Sequence, residues 1–371
     1  MHIRDDLHIP KYRQLYDILM HNIEKEGLKE GDRIPSEPTL IQTYGVSRNT
    51  VRQAIDLLVQ EGVVYRIQGK GTFYKGKRRG SEKKPYLVGV ITPLTKKYIY
   101  PSILQGIEDC AYERRYSLIL GNSGGDTEKE WHLLQNMLQR GIEGLIIEPA
   151  MSAHLKSNTR LLSALERLSI PVVFMDCYYE DLPFSFVTPD DVEGGRLAAS
   201  YLMNWGHRRV GIVYKKDVVP GVLRLQGFRE VVRSRGGELR EEWVWGFTEA
   251  EDQPGMDPAR KLVAAFLSLP PERRPTALFF YNDLCAIQGL QEIRKAGLSV
   301  PGDVSILGFD DSEYAHYAEI PLTSLVHPKE ELGRKAADLL FEAIDSGDRS
   351  PRVVKLVPGI VERESMGSPS R

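Results

Sequence analysis

From Tyr86 onward, short continuous apolar runs alternate with amphipathic segments, and this alternation limits the possible folds more than any other feature. The runs are YLVGVIT, YSLILGN, GLIIEP, PVVFMD, FSFVTPD, RRVGIVY, TALFFYN and VSILGFDD. A strand that is apolar at every position is buried on both faces, as in a parallel sheet covered by helices. The sequence therefore predicts an α/β region with a doubly wound parallel sheet.

The length of residues 86–364 exceeds what one compact sheet usually needs, which favours two α/β subdomains with a cleft between them. Four glycines follow helical patterns and are predicted C-terminal caps: Gly141, Gly206, Gly236 and Gly297. Open α/β sheets bind ligands at the carboxyl ends of their strands, so we expect a ligand site in this cleft.

The first 75 residues predict a different domain, with helical patterns in KYRQLYDILMHNIEKEGL, GDRIPSEPTLIQTYGV and GVSRNTVRQAIDLLVQEG. The third helix carries an apolar stripe made of Val51, Ala54, Ile55 and Leu58. Ser47 and Gly62 are suited to cap its two ends. The short turn YGVS before it is typical of a helix-turn-helix. The run VVYRIQGKGTFYK then predicts a two-stranded ribbon with a basic tip, a wing.

The two parts of the chain differ in net charge, although the net charge of the whole chain is only −2. Residues 1–84 hold 16 Lys and Arg against 11 Asp and Glu, a balance of +5, and the remainder holds 33 against 40, a balance of −7. The basic part is also the part with the helix-turn-helix pattern, which favours nucleic acid as its partner.

Cys110, Cys177 and Cys285 are far apart and lack metal-ligand spacing, so we expect core thiols, with no disulfide framework, no metal and no cofactor. No apolar run is long enough to span a bilayer, and MHIRDDLHIP is not a signal peptide. We therefore expect a cytoplasmic protein without a membrane partner.

The segment GKRRGSEKKP, residues 76–85, is charged and lacks large apolar side chains, so it predicts a linker between the two parts. The sequence thus divides into a DNA-binding domain at 1–75, this linker, a ligand-binding and dimerisation domain at 86–364, and a polar tail at 365–371.

The segments IPSEPTL, YGVSRNTVRQAIDLLVQEGVV and YRIQGKGTF resemble the winged helix-turn-helix of the GntR family of bacterial transcription regulators. The resemblance implies DNA contacts from the recognition helix, the wing and the first helix, at Lys11, Arg48, Thr50, Arg52, Gln68 and Lys70. An arginine fork matches the acceptors of guanine, whereas Thr and Lys suit phosphate oxygens. Many relatives carry Arg after the PSE segment, where this chain has Pro38.

The second part resembles the effector domain of the LacI family, which shares the periplasmic sugar-binding fold, through DDVEGGRLAASYLMNWGHRRVGIV, GVLRLQGFRE, VSILGFDDSEYAHY and PLTSLVHPKEELGRKAADLL. The resemblance places sugar contacts at Asp176, Arg224, Phe247, Asn282, Asp310 and His327. The runs YIYPSILQGIE and IEPA are similar to arabinose-responsive members and add Tyr98 and Glu148. The charged linker lacks the hinge-helix pattern of LacI relatives.

The chemistry of these side chains also suits a sugar, whose hydroxyls need carboxylates, amides and Arg around an aromatic ring. Other interpretations remain for two of the positions. Asp310 and the neighbouring Asp311 are also suited to a turn or a helix cap, and a buried Phe247 is also typical of core packing.

The sequence also bears on several alternative functions. Adjacent Asp310 and Asp311 point to opposite faces of a strand, which disfavours a glycosidase pair. An aminotransferase-like enzyme needs a longer chain and a Schiff-base Lys, and GNSGGD does not match a dinucleotide-binding loop. A structural DNA-bridging protein would not need a ligand cleft. A regulator of a different sugar or a nucleoside is also compatible with the pattern.

The two resemblances together imply a repressor that binds a pseudo-palindromic operator as a homodimer and is released by a small sugar, with L-arabinose as the first candidate. Asp310 and Arg224 are the residues expected to contact the sugar across both subdomains.

Overall fold

A computed structural model of the chain describes residues 10–25, 27–60, 62–75, 85–150, 152, 159–179, 182–252 and 258–369. Its contacts divide the chain into two compact units, residues 1–84 and 85–371. Most of the predicted linker, residues 76–84, lies outside the described ranges. None of the helices within these ranges is long and apolar enough to cross a membrane.

The amino-terminal unit contains three helices and an antiparallel ribbon, as the sequence predicts. The helices are α1 (Lys11–Lys25), α2 (Glu37–Tyr44) and α3 (Arg48–Gln60), and the strands are β1 (Val64–Ile67) and β2 (Gly71–Tyr74). Ser36 caps α2 by accepting from the Thr39 amide, and Gly45 ends it with a φ of +64°. The predicted stripe of α3 is buried in a core shared with Leu15 and Leu19 of α1.

The carboxy-terminal unit alternates strands and helices along the chain. Its strands are β3 (Leu87–Thr92), β4 (Ser117–Asn122), β5 (Gly144–Ile147), β6 (Val172–Met175), β7 (Ser185–Pro189), β8 (Val210–Lys215), β9 (Val244–Phe247), β10 (Ala277–Phe280), β11 (Ser305–Asp310), β12 (Thr323–Val326), β13 (Val353–Leu356) and β14 (Gly359–Val361). Its helices are α4 (Tyr100–Glu113), α5 (Thr127–Gln139), α6 (Thr159–Leu165), α7 (Asp191–Asn204), α8 (Val219–Ser234), α9 (Pro258–Ser268), α10 (Asp283–Lys295), α11 (Glu313–His316) and α12 (Lys329–Ser346).

These strands form two sheets, which define two subdomains. The first sheet has the order β4-β3-β5-β6-β7-β13 and the second the order β9-β8-β10-β11-β12-β14. Every pairing is parallel except that of β14 with β12. All eight predicted apolar runs are strands, so the predicted pair of doubly wound sheets is confirmed.

The chain passes between the subdomains at three crossings, after β7, β12 and β13. Glycines allow two helix pairs to approach closely beside these crossings. A Cβ at Gly106 of α4 would lie 2.2 Å from the Glu330 carbonyl oxygen of α12, and one at Gly333 would lie 2.0 Å from the Ile103 oxygen. Between α7 and α8, a Cβ at Gly195 would lie 2.1 Å from the Arg224 oxygen. The absence of a side chain at these glycines lets the backbones of the paired helices lie directly against each other.

The residues after Glu364, expected as a polar tail, pack on the second subdomain. The Ser365 hydroxyl donates to the Ile306 carbonyl at 2.6 Å, and the Met366 side chain is buried in the core. His207, itself buried, lies with Nε2 2.9 Å from the Gly367 carbonyl oxygen. The segment therefore extends the folded domain past the expected boundary.

Candidate functional site

The exposed face of α3 presents the two arginines assigned to DNA. Ser47 begins the helix by accepting from the Thr50 amide at 3.1 Å, and the hydroxyls of these two residues lie 2.9 Å apart. The side chains of Arg48 and Arg52 are 72% and 57% exposed. Arg52 lies on the face away from the buried stripe, as the helical spacing predicts, and Arg48 is exposed as the first residue of the helix.

Glu37 stands beside both arginines, a contact that sequence analysis did not assign. Its Oε2 lies 3.8 Å from Arg48 Nε and 3.6 Å from Arg52 Nε. Glu37 lies in the segment IPSEPTL, and an acidic residue at the start of the second helix is the sequence feature that could have indicated this contact. Pairs this exposed stabilise the fold little, but they restrict where the two guanidinium groups point.

The turn between β1 and β2 forms the predicted wing tip. Gln68 and Lys70 are exposed there, and Gly69 has a φ of +73°. A Cβ at Gly71 would lie 2.6 Å from Arg33 Nε, so glycine at this position makes room for Arg33. Lys11 is exposed at the first turn of α1.

In the carboxy-terminal unit, acidic residues meet at the carboxyl ends of strands from both sheets. Glu148 follows β5 and Asp176 follows β6 in the first subdomain, whereas Asp310 ends β11 in the second. All three are buried. Their placement is that expected of ligand contacts in open α/β sheets.

Asp176 is held by His327, which lies just after β12 at a crossing. His327 Nε2 and Asp176 Oδ1 are 2.9 Å apart, and both side chains are buried. Burial opposes ionisation of the carboxyl, but the His327 side chain opposite it holds the pKa of Asp176 below its ordinary value. Within the described residues, His327 Nδ1 has no hydrogen-bond partner.

Glu148 retains an unused acceptor beside this pair. Its Oε1 accepts from the Tyr100 hydroxyl at 3.1 Å, but its buried Oε2 has no hydrogen-bond partner in the part of the chain that the structure describes. Burial and the charge of Asp176 raise the pKa of Glu148 well above its ordinary value. A buried oxygen without a partner is costly, so this atom is suited to a ligand hydroxyl.

Tyr98 joins the two subdomains through Asp310. The Tyr98 hydroxyl, from the loop after β3, donates to Asp310 Oδ2 and accepts from the Asp283 amide at 3.2 Å. Burial raises the pKa of Tyr98 well above its ordinary value, and burial also raises the pKa of Asp310. Two further contacts cross the cleft: the Val219 amide donates to Ser152 Oγ at 3.0 Å, and Gly125 packs against Glu249.

Arg224 lies on α8 in the second subdomain, on the same side of the cleft as Asp310. Its Nε donates to Asp191 Oδ1 at 2.8 Å, its Nη1 donates to the Tyr281 carbonyl at 2.8 Å, and its guanidinium lies 3.4 Å from the Phe309 ring centre. Burial raises the pKa of Asp191 to about 6 although Arg224 opposes the shift. Arg224 and Asp310 therefore share one side of the cleft, and the first subdomain supplies Glu148, Asp176 and Tyr98 opposite them.

Phe247 and Asn282, which were also predicted to contact the sugar, each interact with other residues of the second subdomain. Phe247 is 2% exposed and packs in the core of the second subdomain, 5.9 Å from the Tyr281 ring. The Asn282 side-chain oxygen accepts from the Cys285 amide and so caps α10. Both residues nevertheless stand at the carboxyl edge of the second sheet, which is the edge that faces the cleft.

The three cysteines are buried and unbridged, as predicted. Cys177, Glu148 and Asp176 place one ligand-type atom each within 4.8 Å of one another. Burial raises the pKa of the Cys177 thiol well above its ordinary value. This cysteine therefore stays a thiol beside the two carboxyl groups.

Comparison with known proteins supports both halves of this description. Residues 11–73 match the model for bacterial regulatory proteins of the gntR family, and residues 199–366 match a periplasmic binding protein-like domain. The chain is 36% identical over 338 residues to an arabinose metabolism transcriptional repressor from Geobacillus stearothermophilus, covering 91% of this chain and 92% of the relative. The chain belongs to the family of the arabinose metabolism transcriptional repressors.

Other relatives agree on the family and the fold. A second arabinose metabolism transcriptional repressor, from Halalkalibacterium halodurans, is 36% identical over 84% of each chain. Among solved structures, the transcriptional regulator CelR in complex with cellobiose superposes with a TM-score of 0.67 at 26% identity, over 86% of this chain and 92% of that one. The regulator CcpA of Lactococcus lactis shares the fold at a TM-score of 0.67 and 24% identity, over 76% and 98% of the two chains.

The cleft of this repressor also contains charged residues that sequence analysis did not assign. Lys215 ends β8 and is buried, with Nζ 2.5 Å from Glu249 and 3.1 Å from Asp252. Asp283 begins α10 and accepts from the Ser324 hydroxyl at 2.6 Å and the Ser312 amide at 2.7 Å. Each stands at the carboxyl end of an apolar run, which is the signal that could have found them.

Asp283 is expected to make the stability of the repressor depend on pH. Burial and the charge of Asp310 raise its pKa from 3.8 to about 7, so the folded state keeps a proton that the unfolded chain releases. This contribution to stability is present at low pH and is lost as the pH rises from about 4 to about 7, with a slope of up to about 1.4 kcal/mol per pH unit. Asp283→Asn is expected to reduce the slope in urea unfolding across that range.

The matched control is Asp345→Asn, which changes an exposed carboxyl of α12. The control should keep the slope of the unsubstituted repressor. An equal slope in Asp283→Asn would mean that Asp283 does not hold a proton in the folded state.

Proposed function

We propose that this repressor binds operator DNA through α3 and the wing, and that a neutral sugar, with L-arabinose as the first candidate, binds the cleft and releases it. The observation that carries the sugar assignment is the unpaired, buried Glu148 Oε2 among carboxyl groups contributed by both subdomains. Such acceptors suit the hydroxyl groups of a sugar. The names of the relatives from Geobacillus stearothermophilus and Halalkalibacterium halodurans support arabinose.

The direction of the response follows from differential binding. A sugar that contacts both subdomains favours the conformation in which they are close, and it changes operator affinity only by its difference in affinity for the two conformations. We propose that the sugar-bound conformation has the lower operator affinity. Because the proposed target is operator DNA, we also propose that the repressor acts in the cytoplasm as a regulator and not as an enzyme.

A titration of labelled operator with the repressor, without and with L-arabinose, D-xylose or D-ribose, tests the proposal. We expect L-arabinose to weaken operator binding and to raise the melting temperature. Each sugar is also incubated with the repressor and assayed for products. No response to any of the three sugars would contradict the effector assignment, and turnover of one of them would favour an enzyme.

Arg52 is expected to read a base edge, because its guanidinium stands on the exposed face of α3. Arg52→Ala should cost about 1 to 3 kcal/mol of operator affinity and relax the preference at one operator position. Lys11→Ala is the comparison variant, and it should weaken binding to every sequence and flatten the salt dependence. Equal losses on operator and random DNA for Arg52→Ala would show that Arg52 contacts only phosphate.

We propose that the repressor is a homodimer assembled through its effector domain. One winged helix contacts too few bases for genomic specificity, and paired domains on a pseudo-palindrome double the contacts. Light scattering of the full chain and of residues 85–371 at micromolar concentration should give a dimer mass for both. A monomeric full chain would contradict the proposal. A dimeric full chain with monomeric residues 85–371 would show that dimerisation requires the amino-terminal unit.

A further inference from the structure

The end of β11 adopts a backbone conformation that L-amino acids avoid. Asp310 has a φ of +105° and Asp311 a φ of +47°, two consecutive non-glycine residues in the left-handed region. Such conformations persist only where surrounding contacts hold them, and they are common at functional sites. The carboxyl group that meets Tyr98 therefore depends on something that fixes this backbone.

Lys329 supplies one such contact, beside the Asp311 amide that donates to Ser324 Oγ and the Arg363 guanidinium that donates to the Asp311 carboxylate. Its ammonium group lies 2.5 Å from the Asp310 carbonyl oxygen, 3.1 Å from that of Asp311 and 3.4 Å from that of His327. An ammonium has three N–H donors and no acceptor, so three converging carbonyl oxygens match its full donor set. The side chain is half-buried, which shields these bonds from competing water.

The position of Lys329 in the chain links this cage to the crossing between subdomains. Lys329 is the first residue of α12, and α12 packs on α4 of the first subdomain through Gly106 and Gly333. Its side chain nevertheless reaches the end of β11, in the sheet of the second subdomain. One side chain therefore connects the segment after β12 with the backbone that carries Asp310.

We propose that Lys329 is a positioning residue that holds the Asp310–Asp311 backbone in its strained conformation, so that Asp310 presents its carboxyl group to the sugar. In this proposal Lys329 does not touch the sugar and affects sugar binding only through the position of Asp310. The proposal rests on the proposed function of the cleft as a sugar site. Loss of the ammonium frees the strained backbone to relax and turns the Asp310 carboxyl away from Tyr98.

The test compares Lys329→Met with Lys335→Met, which removes an exposed lysine from the same helix. We expect Lys329→Met to raise the L-arabinose concentration for half-release of operator by about tenfold or more, with unchanged operator affinity in the absence of sugar. Lys335→Met should match the unsubstituted repressor. An unchanged half-release concentration in Lys329→Met would overturn the proposal.

A double-substitution cycle separates positioning of Asp310 from a general loss of stability. Asp310→Asn alone should weaken sugar binding, measured by calorimetry, and adding Lys329→Met to it should weaken binding little further. Full additivity of the two losses would overturn the proposal. Melting temperatures of all variants report any general destabilisation.

Crystal structures of the sugar-free repressor and of its Lys329→Met variant give a result that does not depend on the sugar. We expect the variant to lose the Tyr98 to Asp310 hydrogen bond and the positive φ at one or both aspartates. An unchanged backbone would overturn the role of Lys329 even where the sugar response is lost. A repressor that responds to no sugar but shows the displaced backbone would contradict only the proposed effector.

Discussion

Replacing Asp310 with alanine is expected to leave operator affinity within about twofold of the unsubstituted value, while raising the sugar concentration for half-release by about 100-fold or more. Asp310 lies in the carboxy-terminal unit, whereas the helix-turn-helix belongs to the amino-terminal one. Its carboxyl group is buried and accepts from Tyr98 across the cleft. Removing it deletes the proposed acceptor for the sugar and leaves the Tyr98 hydroxyl without an acceptor for its proton.

Asp310→Asn is the matched variant for this experiment, because asparagine tolerates a positive φ better than alanine does. Asp310→Asn keeps the side-chain shape and removes only the charge, so its effect reports the electrostatic contribution. Any additional loss in Asp310→Ala reports the loss of the side chain and the strain at a positive φ. Fluorescence anisotropy of labelled operator with increasing L-arabinose measures both quantities. Full responsiveness in both variants would remove Asp310 from the effector site.

The second large effect is expected from Gly195→Ala, at the contact between α7 and α8. A methyl group there would lie 2.1 Å from the Arg224 carbonyl oxygen and 2.8 Å from the Phe228 amide nitrogen, and backbone atoms cannot rotate away. Alanine favours a helix by about 1 kcal/mol over glycine, but the overlap costs more. We expect a net loss of about 2 to 4 kcal/mol in the free energy of unfolding.

This substitution should also impair the sugar response, because separating the helices displaces Arg224 from Asp191 at the start of α7. Ser200→Ala, on the same helix and away from this contact, should change stability by less than about 0.5 kcal/mol. Urea unfolding followed by circular dichroism measures both. A stabilised Gly195→Ala variant would show that the two helices can separate without cost.

Most of the strands that sequence analysis predicted are buried on both faces, as GLII of β5 is, because short continuous apolar runs between turn residues are typical of such strands. The exception is β4, an edge strand in which Ser117 and Leu120 are exposed. The strands it missed are short or lie near an edge. β13 at Val353–Leu356 contains Lys355, so it does not form a continuous apolar run, and β9 at Val244–Phe247 is a partly exposed strand at the edge of its sheet. Their pairing depends on neighbouring strands that are distant in sequence, which local patterns do not show.

The acidic members of the site could be predicted because each follows an apolar run. Asp176, for example, comes directly after strand β6. The partners could not be predicted, because they come from other elements. Asp191 meets Arg224 only after α7 and α8 pack together, and Glu37 meets Arg52 only after α2 and α3 do. Phe247 shows the converse limit, since its aromatic side chain fits a sugar platform and a core equally well in sequence and is buried in the structure.

The late position of α12 in the chain has a consequence for synthesis on the ribosome. The apolar face of α4, with Ile103 and Ile107, packs in one core with Leu332, Ala336 and Leu340 of α12. Those partners leave the ribosome only after every strand from β3 to β12 has been made. The first subdomain therefore emerges with part of its core uncovered, and such long-range contacts fold slowly and expose apolar surface to aggregation. A chain that ends before Leu332 would keep that surface exposed permanently.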